Sequence, residues 1–171
     1  MELNAAIQLI EKAVPYKVDN SQWADLGCGA GTFTIALSYL LGSGSRIFAI
    51  DKKRQSITSP NDVEIEFFQD DFLNTILPFS NLQGIMMANS FHYIKNKLLL
   101  VEKLSHHLRP DGQFIIVEYD TDRANQWVPY PLPFSQLNVL FNPHGFSSIE
   151  KIGEYNSVYN SNKMYACVIS R

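Results

Sequence analysis

Four short stretches hold most of the residues able to do chemistry. The first is Asp25-Leu-Gly27-Cys28-Gly29-Ala-Gly31, with glycine at every second position and an acidic side chain two places before the first glycine. Glycine tolerates positive φ and has no Cβ, so such a turn bends sharply and lets a ligand lie against its backbone. The Asp25 carboxylate would repel a pyrophosphate but suits a ligand with an ammonium group, met directly or through a water. A dinucleotide fingerprint needs G-x-G-x-x-G, and Thr32 stands where its third glycine belongs.

The second stretch is Asp51-Lys52, twenty positions beyond Gly31. A carboxylate there, downstream of the glycine turn, can accept both hydroxyls of a ribose in a bidentate grip; the alternative is a helix N-cap or a solvated strand end. The third is Asp70-Asp71-Phe72; its paired carboxylates lack a nearby His or Cys cluster, so no metal is expected. The fourth is Asn89-Ser-Phe-His92-Tyr93. An imidazole titrates near neutrality, which makes His92 either a general base for an acceptor hydroxyl or amine, or a packed residue at the start of the next helix.

The elements that must hold these stretches follow from periodicity. Leu3, Ala6, Ile7, Ile10 and Val14 lie at helical spacing and Pro15 ends the run, giving an N-terminal helix within 1–15. The turn joins a strand to a helix bearing Phe33, Ala36, Leu37, Leu40 and Leu41, and Arg46 to Ile50 is the next strand, which completes a βαβ unit. Lys52 to Thr58 reads as a short polar helix at most. Strands are expected over Val63–Phe68, Gly84–Ala88 and Gln113–Glu118, the second being apolar without alternation, as in a strand covered on both faces. A helix is expected over 96–108, then a turn at Arg109-Pro-Asp-Gly112.

The chain after the fifth strand changes character. Residues 119–133 carry Pro129, Pro131 and Pro133 with Tyr119, Trp127 and Tyr130, a stiff aromatic loop. Ligands of open α/β sheets bind beyond the carboxyl ends of the strands, so Tyr119, Trp127 and Tyr130 are candidate substrate contacts, with plain surface packing as the alternative. Phe134–Phe141 reads as a short helix. Phe146–Tyr155 and Lys163–Ser170, joined by a polar Asn/Ser turn, make an antiparallel hairpin within 146–170.

Asp25 through Gly31, D-L-G-C-G-A-G, resembles the first motif of the class I S-adenosylmethionine-dependent methyltransferases, and the βα alternation ending in a hairpin is similar to that family from about residue 22 to 171. The resemblance implies one α/β domain over 1–171: a doubly wound, mostly parallel seven-stranded sheet with a C-terminal antiparallel hairpin and helices on both faces, residues 22–118 forming the cofactor core. It implies S-adenosylmethionine held by Asp25, Gly27, Cys28, Gly29 and Gly31 in the turn, by Asp51 and Lys52 at the ribose, and by Asp70, Asp71 and Phe72 at the adenine. Of the two adjacent carboxylates, Asp71 before Phe72 is the better match. Asn89 falls where the reacting methyl would sit. Relatives that methylate nucleic-acid bases or glutamine carry Asn/Asp-Pro-Pro-aromatic there, and this chain has Asn89-Ser-Phe-His92. The implied activity is methyl transfer to a small-molecule acceptor; the alternative is a non-catalytic S-adenosylmethionine-binding or scaffold domain.

Composition bounds the rest. With 171 residues, 46% of them hydrophobic and 18% charged, the chain is long enough for one real core. A net charge of −3 argues against nucleic acid, and no apolar run approaches a membrane span. The two cysteines offer no disulfide framework and fit a reducing, cytoplasmic setting. A second subunit is one way to cover the acceptor site, so a homodimer is left open.

Overall fold

The computed structural model describes residues 1–156 and 163–171. Seven strands, β1 (Gln22–Leu26), β2 (Arg46–Asp51), β3 (Glu64–Gln69), β4 (Leu82–Ala88), β5 (Leu108–Tyr119), β6 (Ser148–Asn156) and β7 (Lys163–Ser170), form one sheet in the order β3-β2-β1-β4-β5-β7-β6. The first five run parallel, and β7 lies antiparallel between β5 and β6. The order reverses between β1 and β4, which opens a crevice beyond their carboxyl ends.

Side-chain alternation along the strands feeds two cores. On one face Ala24, Leu26, Ile85, Met87, Phe114 and Ile116 meet α3 (Lys97–Ser105) through Leu100, Val101 and Leu104, and α4 (Leu137–Phe141) through Leu137 and Phe141. On the other, Trp23, Ile47, Met86 and Ile115 meet α1 (Leu3–Ile10) through Ala6, Leu9 and Ile10, and α2 (Thr32–Leu40) through Phe33, Ala36 and Leu37. Each such side chain taken fully from water contributes roughly 1.5–3 kcal/mol. Coverage of both faces is why the central strands read as unbroken apolar runs.

Several expected boundaries shift. Residues 52–58 form no helix: Lys53 donates its N–H to the Asp51 carboxylate at 2.8 Å, and Ile57 packs where a Gly31 Cβ would stand, so the segment is irregular. The first helix ends at Ile10 and continues as a 3-10 turn over Glu11–Ala13. α3 is capped by Asn96, whose side chain accepts the Leu99 N–H, and stops at Ser105 rather than Leu108. The turn expected at residues 109–112 is instead part of β5: Leu108 pairs with Leu82 and Gln113 with Gly84, so the extra residues make a bulge in the strand, with Arg109 bonded to Asp111. β6 begins at Ser148, after a left-handed Gly145 has ended the preceding 3-10 turn. The Asn/Ser turn expected between β6 and β7 lies outside the described residues.

Candidate active site

A cleft of about 720 Å³ occupies the crevice between β1 and β4. Gly27 and Gly29 line it from the turn after β1, and Asp51, Lys52, Lys53 and Gln55 from the end of β2. Asp71, Phe72 and Leu73 come from the end of β3, and Asn89, Ser90, Tyr93 and Ile94 from the end of β4. Its size suits a drug-sized ligand or cofactor.

The glycine turn divides its labour. Gly27 has φ +77°, and a Cβ there would lie 2.5 Å from Ser90 Cβ; the Ser90 hydroxyl in turn donates to the Leu26 carbonyl at 2.6 Å. Gly27 and Ser90 therefore lock the ends of β1 and β4 together. Gly29 has φ +51° but nothing within 4 Å of its Cβ direction, so the room beside it is open. Its N–H donates to Asp51 Oδ2 at 2.9 Å while Lys53 N–H serves Oδ1. Each carboxylate oxygen thus keeps accepting capacity for a second donor, which is what a vicinal diol presents.

At the end of β3 the adjacent carboxylates face different surroundings. Asp71 meets Lys52 Nζ at 3.0 Å and accepts the Leu73 N–H and the Asn74 side-chain amide. Burial works against its charge, yet the Lys52 ammonium and the two other donors hold its carboxyl below the usual range. Asp70 does not line the cleft; it accepts the Thr75 hydroxyl and the Asp71 N–H. Among the described residues no hydrogen bond occupies the Phe72 N–H.

Three further turn residues expected at a ligand sit behind the cleft wall. Asp25 is 1% exposed, accepts the Thr34 hydroxyl at 2.6 Å on Oδ2, and leaves Oδ1 buried with no hydrogen-bond partner among the described residues. Burial, opposed by Thr34 and reinforced by Asp51, pushes its carboxyl up to about 7. Cys28 is buried too; desolvation and then the charges of Asp25 and Asp51 push its thiol far up, away from nucleophilic use. Gly31 backs onto Ile57.

Asn89 adopts φ +54°, a region that costs a non-glycine residue strain, while its N–H donates to the Val117 carbonyl at 2.8 Å. Its Oδ1 is buried without a partner among the described residues. His92 lies just beyond the wall, 3% exposed, its ring 4.3 Å from that of the cleft residue Tyr93. Glu118, at the end of β5, grips it twice: Oε1 accepts the His92 N–H at 3.0 Å, and Oε2 lies 2.7 Å from Nδ1. A carboxylate at Nδ1 makes that nitrogen the donor and leaves Nε2 as the basic one.

Residues 119–133 border this dyad rather than the cleft. Tyr130 N–H donates to the His92 carbonyl at 3.0 Å, and Lys97 Nζ reaches the carbonyls of Tyr130 and Ile94 at 2.6 and 2.7 Å. Burial, opposed by Glu118, brings the Lys97 ammonium down to about 8. The Tyr119 ring is 6.1 Å from His92, and Trp127 stands 66% exposed. None of Tyr119, Trp127 and Tyr130 lines the cleft. Conversely, Lys53, Gln55, Leu73, Ser90, Tyr93 and Ile94 line it without having been picked out in the sequence; their one shared signal is adjacency to a strand's carboxyl end. Among the described residues no group of three or more His, Cys, Asp or Glu could hold a metal, and no helix is long and apolar enough to cross a membrane.

A doubly wound sheet with a glycine turn at its switch point and a carboxylate ending the next strand defines a nucleoside-binding class of α/β proteins. The methyltransferase-domain family profile matches residues 2–151, and the chain belongs to that family, the class I enzymes that use S-adenosylmethionine as methyl donor. The carboxy-S-adenosyl-L-methionine synthase of Hydrogenovibrio crunogenus is 26% identical over 118 residues, 63% of this chain and 46% of that protein, so the chain spans about half the length of this curated relative. Among solved structures, a SAM-dependent methyltransferase from Aquifex aeolicus superposes with TM-score 0.63 at 15% identity over 100% of both chains. The 1,6-didemethyltoxoflavin-N1-methyltransferase of Burkholderia thailandensis, solved with S-adenosylhomocysteine, gives TM-score 0.69 at 15% identity over 99% of this chain and 77% of that one. At such identities the structural likeness speaks for the fold.

Proposed function

We propose that the protein transfers the methyl group of S-adenosylmethionine to a small, proton-bearing acceptor, leaving S-adenosylhomocysteine. The observation that carries this is the convergence at one cleft of an open glycine backbone, a carboxylate with two spare acceptor sites, and an orphaned amide oxygen. In this reading Asp51 holds the ribose diol, Asp71 and the Phe72 N–H hold the adenine edge, Gly27 and Gly29 line the amino-acid end, and Asn89 borders the reacting group. Bound there, S-adenosylmethionine supplies a methyl on a positively charged sulfur, with no protein nucleophile required. The chain's own part is alignment and exclusion of water, and well-oriented geometry contributes roughly 7–11 kcal/mol to such reactions.

The Glu118–His92 pair supports a role for His92 as general base. Glu118 fixes the imidazole with Nε2 left to take a proton from the acceptor and pass it to solvent, and the half-exposed Tyr93 ring, 4.3 Å from the imidazole, stands between the pair and an aromatic acceptor in the cleft. Such a base helps most where the acceptor is a weakly acidic hydroxyl such as a phenol or enol, a poor nucleophile until it ionises. The acceptor end of the cleft, Asn89, Ser90, Tyr93 and Ile94, is uncharged, which favours a neutral, flat acceptor of that kind. A cytoplasmic location and a homodimer that covers the open side of the cleft belong to the same proposal.

Calorimetric titration with S-adenosylmethionine, S-adenosylhomocysteine and NAD tests the first step; binding of the two sulfur compounds and not NAD is expected. Transfer from labelled donor to a graded series of phenols tests the second. Donor binding without transfer to any acceptor would instead favour the non-catalytic reading.

A further inference from the structure

The ammonium of Lys103, in the last turn of α3, has no part in the proposed chemistry, yet all three of its protons go to one short loop. Nζ donates to the carbonyls of Phe72, Leu73 and Thr75 at 2.9, 3.2 and 2.8 Å. That loop leaves β3 as a single helical turn: the N–H groups of Asn74 and Thr75 both meet the Asp71 carbonyl, at 2.9 and 3.0 Å, and the turn goes no further. The later carbonyls of such a turn are left without backbone donors. Among the described residues Lys103 alone serves these three, and no carboxylate pairs with it. A charged donor holds a carbonyl roughly twice as strongly as a neutral one, so this ammonium is the principal polar tie between the loop and α3.

Two of the three carbonyls stand at the far ends of peptide units that hold Asp71. The Phe72 carbonyl shares its peptide with the Leu73 N–H, which donates to Asp71 Oδ1 at 3.1 Å, and the Leu73 carbonyl shares its own with the Asn74 N–H, which donates to the Asp71 carbonyl. Charge drawn toward the oxygen of a peptide strengthens its N–H as a donor. Lys103 therefore acts on Asp71 through two peptide units, and Phe72 is buried in the same core as Leu100 and Leu104 of α3. Asp71 and Phe72 line the cleft and Lys103 does not. Resting on the assignment of Asp71 and the Phe72 N–H to the adenine edge, we infer that Lys103 is a positioning residue for base recognition: a tethered cation that holds this edge in the one arrangement that accepts from an exocyclic amino group and donates to a ring nitrogen.

The two faces of a purine supply the test. Adenine offers an amino donor to Asp71 and a ring-nitrogen acceptor to the Phe72 N–H, whereas hypoxanthine offers a carbonyl and a ring N–H, the reverse at both places. An edge held in place rejects the reversed pattern, and a loose one re-forms around it. Calorimetric titration of the intact chain with S-adenosylhomocysteine and with its hypoxanthine analogue, S-inosylhomocysteine, is expected to show a preference of at least about thirtyfold for the first. In Lys103→Cys the affinity for S-adenosylhomocysteine is expected to fall about tenfold and that for the analogue to stay within about twofold, so that the preference nearly closes. Alkylating the introduced thiol with 2-bromoethylamine rebuilds a side chain of lysine's length and charge. Cys28 and Cys167, the chain's other cysteines, are buried, with thiols pushed far up by desolvation, and are spared. The aminoethylated protein is expected to regain the preference, and the same protein treated with iodoacetamide, which adds a neutral arm, is not. Lys103→Gln, which keeps neutral donors in place of the charge, is expected to hold the fold with the preference cut at least about threefold, and serves should Lys103→Cys fold poorly. Equal changes for the two ligands, no recovery after complete aminoethylation, or an unchanged preference in Lys103→Gln make Lys103 a structural staple and overturn the inference. A wild type that binds both ligands alike overturns the adenine assignment and this inference with it while the donor reading stands, and one that binds neither overturns the donor reading as well.

Discussion

The two sides of the cleft are built differently. On the β1–β2–β3 side the polar contacts at the cleft run between the same or adjacent strand ends: Gly29 N–H on Asp51, Lys53 N–H on Asp51, Lys52 on Asp71. On the β4–β5 side the groups meet only through tertiary structure: His92 on Glu118, Tyr130 N–H on the His92 carbonyl, Lys97 on the Tyr130 carbonyl. The first side presents a nucleoside-shaped cradle that needs little beyond a turn and strand ends in register. The second depends on how one loop lies over one dyad, so it is where a change of acceptor can arise without disturbing the donor.

The strongest test of this division lies in two glycines of one turn. Gly27→Val drives a Cβ into Ser90 at φ +77° and so attacks the joint between the halves; a loss of about 3 kcal/mol or more in denaturant unfolding is expected, with binding gone. Gly29→Ala meets no protein atom, so unfolding should register only its left-handed strain, about 1–2 kcal/mol, while donor affinity collapses. Equal stability losses at the two positions would erase the distinction.

Next in size is Asp51→Ala. It removes an acceptor for two hydroxyls, each charge-assisted bond being worth about 1.5–3 kcal/mol, so affinity for S-adenosylhomocysteine should fall at least tenfold by titration. On the other side, Glu118→Gln turns an amide NH₂ toward Nδ1 and moves the imidazole proton to Nε2. Transfer to weakly acidic phenols should drop about 100-fold with donor affinity unchanged, whereas 4-nitrophenol, already ionised, should be nearly spared. ¹⁵N NMR of histidine should show the tautomer change directly. A uniform loss across all phenols would make Glu118 a structural staple only.

How much of this was legible in the sequence divides along the same line. The strand ends bearing Asp51, Asp71 and Asn89 followed from local apolar runs and from spacing after the glycine turn, and the sheet carries them to one cleft. What escaped was long-range. Nothing near Asp25 in the chain signals that Thr34 will cover it, and Lys52–Thr58 has too few apolar residues to show that Ile57 packs on Gly31. The aromatic content of residues 119–133 marked a contact surface, but composition does not say which of its atoms face inward; the backbone of Tyr130 does, and the Trp127 ring does not.

Two smaller effects sharpen the contrast. The Asp25 carboxyl is raised in the fold, so between about pH 4 and 7 the native state holds a proton that the unfolded chain has lost, and stability falls as pH rises through that window. Ligand-free Asp25→Asn should therefore melt at a temperature progressively higher than wild type across that range; a constant gap would count against the raised carboxyl. Smallest of all, Trp127→Ala should stay within about 0.5 kcal/mol of wild type in stability and change transfer only a few-fold, because the side chain is exposed. A large loss of transfer would mean that the loop closes over the cleft during turnover.

The clamp on residues 119–133 bears on redesign. Two of its attachment points to the dyad side are main-chain atoms, the N–H and carbonyl of Tyr130, held by the His92 carbonyl and the Lys97 ammonium. A graft or library that varies the exposed side chains of residues 122–124, 126 and 127, and keeps the buried Val128 and the Asn125 side chain that accepts the Trp127 and Val128 N–H groups, leaves both fastenings in place, provided that position 130 keeps an amide hydrogen and is not made proline. The loop can then be diversified as a cassette for new acceptors, selected on a donor cradle that is never touched.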